Sequence, residues 1–328
     1  MIEACYYLPC YNIKRISSNS TIETNSKQDN TKESFMEPLS IAVISGAAGG
    51  VAGVFSKEVW DLGKNWINSY FKDHAPKAIA KAEQNSLDFL VQLAQRVKTL
   101  EEQGEQHREI ITESLNQPDF SALLQKAWMS SAQTEDKQKH ELLARLVADR
   151  LTKETESMFA LASRQACDAV SMLTINQMKI LGLLIFKDRV QQSPFPPVNM
   201  SQEEFNKWYV EYLTDNMQLY QDLTISRLDM VHLGALSCIS ILGISVRDHL
   251  RHILWPKKER GVTFGIKLFT STELGKKMEE LWESHLNGVS PTSIGELIGI
   301  YVSDMLRNTT TSLEGWGESN HITVTLDT

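Results

Sequence analysis

The chain has 328 residues, 42% of them apolar and 23% charged, with a formal net charge of −8 and a pI near 5.6. That balance suits a globular protein with apolar material for one large domain or two to three ordinary ones. The acidity excludes wholesale coating of nucleic acid, and the four cysteines (Cys5, Cys10, Cys167, Cys238) lack the spacing of a structural zinc site.

Residues 1–37 open the chain. They have no apolar stretch typical of a secretory signal, which predicts a cytoplasmic address. From residue 12 onward they are rich in Ser, Asn, Thr, Lys and Glu, a composition too polar to offset chain entropy, so a disordered leader is expected there. Met36 is an alternative start. Pro38 to Ser56 is free of charge and carries two overlapping G-x-x-x-G pairs, Gly46/Gly50 and Gly49/Gly53. Such glycines suit either close helix packing or a weak membrane contact, and the aromatic residues Trp60, Trp66, Tyr70 and Phe71 extend the candidate membrane surface over residues 38–71.

Residues 77–115 read as one long amphipathic helix with Leu90, Leu93, Val97 and Leu100 on a stripe suited to antiparallel packing or dimerisation. Three further helices are predicted at about 119–132, 135–151 and 155–172. Their apolar sets are Leu123, Leu124, Ala127 and Trp128; then Leu142, Leu143, Leu146 and Val147; then Met158, Leu161, Ala162, Ala169 and Val170. Short connections between them favour an antiparallel bundle.

Thr174-x-x-Gln177 starts an apolar helix, and Pro194-Phe-Pro-Pro197 marks a loop. Ser201-Gln-Glu-Glu204 is a capping box opening a helix that carries Phe205, Trp208, Tyr209 and Tyr212 on one side. Another helix is expected over about 225–240, followed by a Leu242-Gly243 turn and a basic stretch. Val262 to Phe269 reads as a short strand entering a helix near Thr270–Met278, an order that matches a winged-helix module. Ser290-Pro291 and the box Ser293-x-x-Glu296 open a last helix with Ile294, Leu297, Ile298, Tyr301, Val302 and Met305 on one stripe. Residues 308–328 form a tail with a short strand near Ile322–Leu326.

The predicted fold is therefore mainly α: a helical bundle with a long amphipathic helix, plus a winged-helix-like C-terminal module containing a small β element. The expected division is a leader (1–37), a glycine-rich helix with an N-terminal bundle (38–172), a winged-helix-like domain (173–307) and the tail.

Phosphate-loop, serine-hydrolase and zinc-protease signatures are missing, so no catalytic residues, cofactor or metal ligands are assigned. Arg227/His232 and Arg247/His252 have the Arg-x4-His spacing of the helical HEPN ribonucleases, but chance alone supplies about one such match. His249-x-x-His252 lacks further ligands nearby. Between Arg247 and Lys277 stand eight Lys/Arg against three acids. Arg247, Arg251, Lys257, Lys258 and Arg260 are the candidate anion or nucleic-acid contacts, with a solvated basic face as the alternative. The predicted recognition helix near 225–240 is mostly apolar, which suits protein contact better than groove reading.

Three stretches carry a family resemblance. They are Pro38-Leu-Ser-Ile-Ala-Val-Ile-Ser-Gly-Ala-Ala-Gly-Gly50; Pro118-Asp-Phe-Ser-Ala-Leu-Leu-Gln-Lys-Ala-Trp128 with Lys139–Val147; and Leu173–Leu181 with Phe269–Gly275. In these the chain resembles an uncharacterised bacterial family and, more distantly, the Abi-alpha (abortive infection alpha) proteins. The resemblance spans about residues 36–307 and implies a bacterial origin, a link to phage defence and no catalytic residue to carry over. The expected function is that of a non-enzymatic, self-associating interaction protein. The alternatives are a membrane-active effector inserting residues 38–56 and a dimeric DNA-binding regulator.

Overall fold

The computed structural model describes residues 67, 69–102, 117–190, 200–241, 250, 265–311, 313 and 316. All of them fall in one compact unit, Met36–Thr328, the other unit being Met1–Phe35. The leader, the glycine-rich segment 38–56 and the strand expected at 322–326 lie outside the described residues. The described part is mainly helical, with one small two-stranded sheet.

In chain order the helices begin with α1 (Pro76–Glu102), α2 (Pro118–Ala132), α3 (Lys137–Arg150), α4 (Met158–Met172) and α5 (Ile175–Val190). Next come α6 (Gln202–Met217), extended by a 3-10 turn through Tyr220, and α7 (Arg227–Ala235). Strand β1 (Ile239–Ile241) follows, then α8 (Ile266–Thr270) and α9 (Glu273–Leu281), which runs into a π turn at Trp282–Leu286. Strand β2 (Val289–Pro291) and helix α10 (Ser293–Arg307) complete the described elements.

Most helix starts have a local cause. Asp136 caps α3 by accepting from the Gln138 and Lys139 amides, and Ser157 caps α4 through the Ala160 amide. At α5, Thr174 Oγ1 accepts from the Gln177 amide while Gln177 Oε1 accepts from the Thr174 amide. Reciprocal boxes also open α6 (Ser201/Glu204) and α7 (Ser226/Asp229). Pro118 at the first turn of α2 removes an amide that would lack a partner there.

Helices α1–α4 pack on one another, and α5 and α10 form the most extensive helix pair. Both members of that pair are buried almost all round, α5 through Met178, Ile180, Leu181, Leu184 and Phe186, and α10 through Leu297, Ile298, Ile300 and Tyr301. Residues on either side of position 172 share one apolar core, because α10 also packs on α4 and α3. The stripe Leu90, Leu93, Val97 of α1 lies inside this core against α2 and α3, so it is spent on internal packing rather than dimerisation. On α4 the small residues Ala162, Ala166 and Ala169 face inward, whereas Met158 and Leu161, expected in the core, are exposed.

Three local expectations are corrected. Residues 266–270 are helical, so the predicted strand 262–269 does not hold at its second half; the sheet is instead β1 against β2, antiparallel, with Ser240 opposite Ser290. The helix expected over 225–240 stops at Ala235, and the chain turns through Ser237 in the left-handed region into β1. Helix α10 is capped by Thr292, whose side chain accepts from the Gly295 amide, while Ser290 and Pro291 belong to β2. The shift by one residue follows from contact. A Cβ on Gly295 would stand 1.8 Å from the Cys238 carbonyl oxygen, so this glycine must face β1.

Gly295 and Gly299 form a G-x-x-x-G pair on α10. A Cβ on Gly299 would meet the Leu181 carbonyl oxygen at 2.6 Å and Ile185 Cγ1 at 2.5 Å, so α5 and α10 touch backbone to backbone. Buried polar ties fix the same assembly. Arg145 Nη2 donates to Asp304 at 2.6 Å, across 159 residues, and its guanidinium lies 4.3 Å from the Tyr301 ring centre. The Tyr301 hydroxyl donates to Asp149 at 2.6 Å, and Arg150, also buried, donates to Asp119 at 2.6 Å.

Two outcomes follow. Gly295→Ala forces backbone apart at the Cys238 carbonyl and lowers stability by about 3 kcal/mol, read as an earlier midpoint in urea unfolding. Asp304→Ala removes the nearer carboxylate of the buried Arg145 and the acceptor of the Thr311 amide and costs about 3–5 kcal/mol, whereas the paired change Arg145→Met with Asp304→Leu recovers only part of that loss, because the Thr311 amide and Asp149 lose partners as well.

Candidate functional site

The candidate anion contacts Arg247, Arg251, Lys257, Lys258 and Arg260 and the packing glycines Gly46, Gly49, Gly50 and Gly53 all lie outside the described residues. So do Arg247/His252 and the His249/His252 pair. What can be built from the residues upward is the surface around the predicted recognition helix, now bounded as α7.

Helix α7 is held from behind. Met230 and Leu233 are buried, and the Ser226/Asp229 box fixes its first turn. Gln177 of α5 donates to Asp229 Oδ1 at 3.1 Å, and Asn176 donates to the Thr224 carbonyl at 2.6 Å just before the helix. His232 Nε2 lies 3.1 Å from the Met172 carbonyl at the end of α4, so that nitrogen carries the proton. Burial pushes the Asp229 carboxyl up, but hydrogen bonds from Ser226 and Gln177 and the nearby His232 outweigh it and hold the group below its usual range.

From this rigid seat α7 presents apolar side chains to solvent. Leu228 is 79% exposed and Val231 57% exposed. With 100° per residue, Arg227, Leu228, Val231, Gly234 and Ala235 share one face, opposite the buried Met230 and Leu233. On α4, Met158 and Leu161 are exposed near its start and Met172 at its end, with the polar Gln165 and Asp168 between them on that side, and Met172 is the residue whose carbonyl His232 engages.

The polar groups nearby are committed to structure. Five positions separate Arg227 from His232, which puts them on different faces, and His232 is spent on a backbone carbonyl; the pair is not arranged for phosphate chemistry. Lys277 donates to the Gln221 carbonyl, while Lys267 and Lys276 are exposed. His140, fully buried, has Nε2 at 2.8 Å from the Thr134 carbonyl and 3.2 Å from that of Ser131, and so tethers the turn between α2 and α3. Cys167 and Cys238 are buried free thiols, and burial raises the Cys238 thiol to about 11, far from a reactive thiolate. Among the described residues no group of three or more His, Cys, Asp or Glu is placed to hold a metal ion. An open groove of about 630 Å³ runs between α6 and α8, lined by Asn206, Lys207, Val210, Glu211 and Leu268 among others.

A family model matches residues 53–268, about two thirds of the chain. The chain belongs to that family, which is uncharacterised. Its span takes in α1 to α7 and most of the short α8, and stops before α9, β2 and α10. No curated protein and no solved structure matches the chain. Nothing in these comparisons ties it to the Abi-alpha proteins. Among the described residues no helix is long and apolar enough to cross a membrane.

The apolar face of α7 was half legible: its lack of polar residues was plain, but its exposure was not. Leu228 and Val231 look like core positions until the buried side of the helix is fixed by Met230 and Leu233.

The seat of α7 has a pH signature. With the Asp229 pKa depressed on folding, its stabilisation is present above the ordinary aspartate value of about 3.9 and is lost as pH falls through the depressed one. The stability difference between wild type and Asp229→Asn is therefore level near neutrality and shrinks in acid, as followed by thermal melts across that range.

Proposed function

We propose that this protein is a non-enzymatic interaction protein that self-associates, and that it acts in bacterial phage defence as its resemblance to the Abi-alpha proteins implies. The observation that carries the first part is the exposed apolar face of α7, Leu228 and Val231, with the exposed Met172 at the end of α4 that His232 engages. Large apolar side chains held exposed on a firmly seated helix favour a protein contact over solvent. The predominantly apolar face of α7 supports protein recognition rather than groove reading, since it offers one cation, Arg227.

Sedimentation velocity of the full chain tests this reading. The sedimentation coefficient is expected to rise with concentration through the micromolar range and to be little changed by salt, as an apolar contact requires. A single monomeric species at every concentration overturns self-association. The defence role is read by phage plaque counts on cells expressing the chain, which are expected to fall; counts equal to those of an empty vector remove that role.

A further inference from the structure

Resting on the self-association just proposed, we infer that α7 is the contact helix and that its partner is α7 of a second copy, packed antiparallel about a two-fold axis at Val231. The argument begins with the face itself. Around Val231 stand Leu228 and Arg227 toward the N-terminal end, and Gly234 and Ala235 toward the C-terminal end. An antiparallel pairing centred on Val231 sets position 228 of one copy against 234 and 235 of the other. The large side chain then meets small ones on both sides of the axis. A Cβ built on Gly234 has nothing within 4 Å, so this end of the helix is open to receive a knob. Leu228, 79% exposed, is the knob.

Charge agrees with that orientation. Antiparallel pairing brings the exposed Arg227 beside the C-terminal end of the partner's helix, where the backbone dipole is negative. A parallel pairing would instead stack Arg227 on Arg227 and Leu228 on Leu228, leaving Gly234 against Gly234 as a gap. A two-fold contact uses the same patch on both copies, and on this face only the antiparallel sense sets large side chains against small ones. The acid on this helix does not interfere, because Asp229 points back to Ser226 and Gln177, and His232 is held by the Met172 carbonyl. The helix is fixed before it binds, so little ordering cost remains.

The test uses the full chain with Cys5 and Cys10 replaced by serine. Val231→Cys is expected to form a disulfide-linked dimer under mild oxidation, because the axis brings the two copies of position 231 together. Leu228→Cys alone is expected not to do so, whereas an equal mixture of Leu228→Cys with Ala235→Cys links. Leu228→Asp is expected to weaken self-association at least about tenfold, with a melting temperature equal to wild type when both are measured at a concentration where the wild type is monomeric, since the side chain is solvent-exposed. If the wild type associates but Leu228→Asp associates equally well, or position 228 links to itself while 231 does not, this contact is overturned and self-association stands. If the wild type is monomeric throughout, both readings fall together.

Discussion

The contact on which the rest depends is the backbone-to-backbone approach of α5 and α10. Gly299 lies against the Leu181 carbonyl, and across the same seam a Cβ on Gly182 would meet the Tyr220 hydroxyl at 3.1 Å and Val302 Cγ1 at 3.2 Å. With these two positions bare, neighbouring large side chains such as Ile185, Ile298 and Val302 close around the seam at interior packing density. Both helices bury most of their described side chains, so the seam between them is interior. Against this pair pack α4 and α3 on one flank, and the β1–β2 ribbon at the N-terminal end of α10, where Gly295 admits the Cys238 carbonyl.

Polar groups set the alignment of that core more than its strength. Arg145 has one charged partner on α10 and another, Asp149, one turn along its own helix at 3.8 Å. Burial raises the Asp149 carboxyl above its ordinary range, against the pull of Arg145 and the Tyr301 hydroxyl, and drives the Tyr301 phenol higher still. Asp304 also accepts from the Thr311 amide at 2.9 Å and from the Thr311 hydroxyl at 2.7 Å, which folds the chain back after Asn308 has ended α10 in the left-handed region. A cluster with so many directional requirements is satisfied in one register of α3 against α10. That selectivity is the physical return for burying charge.

What was legible in the sequence was local. Ser201/Glu204 and Thr174/Gln177 announce their helices because capping chemistry is decided within four residues. Val262–Phe269 misled because valine, threonine, phenylalanine and isoleucine favour strands, yet residues 266–270 turn helical with Phe269 buried against the core. The Arg145–Asp304 pair spans 159 residues and leaves no local trace. Gly295 and Gly299 are obscured in the sequence by Glu296 between them, whereas the glycines at 46–53 stand in a charge-free run. Of the candidate site, the composition of α7 could be read in advance; which of its faces is wet depends on α5 and α4, whose contacts with it span 52 and 60 residues of sequence.

The long separation of α5 and α10 along the chain has a consequence for synthesis. Helix α5 leaves the ribosome complete at Val190, but the partner for its glycine-lined face is not finished until Arg307. At the ordinary rate of about 5–20 residues per second, that is an interval of roughly 6 to 25 s. During it Leu181 and Ile185 have no α10 to cover them. The part of the core that α5 and α10 share can therefore close only after α10 has been made.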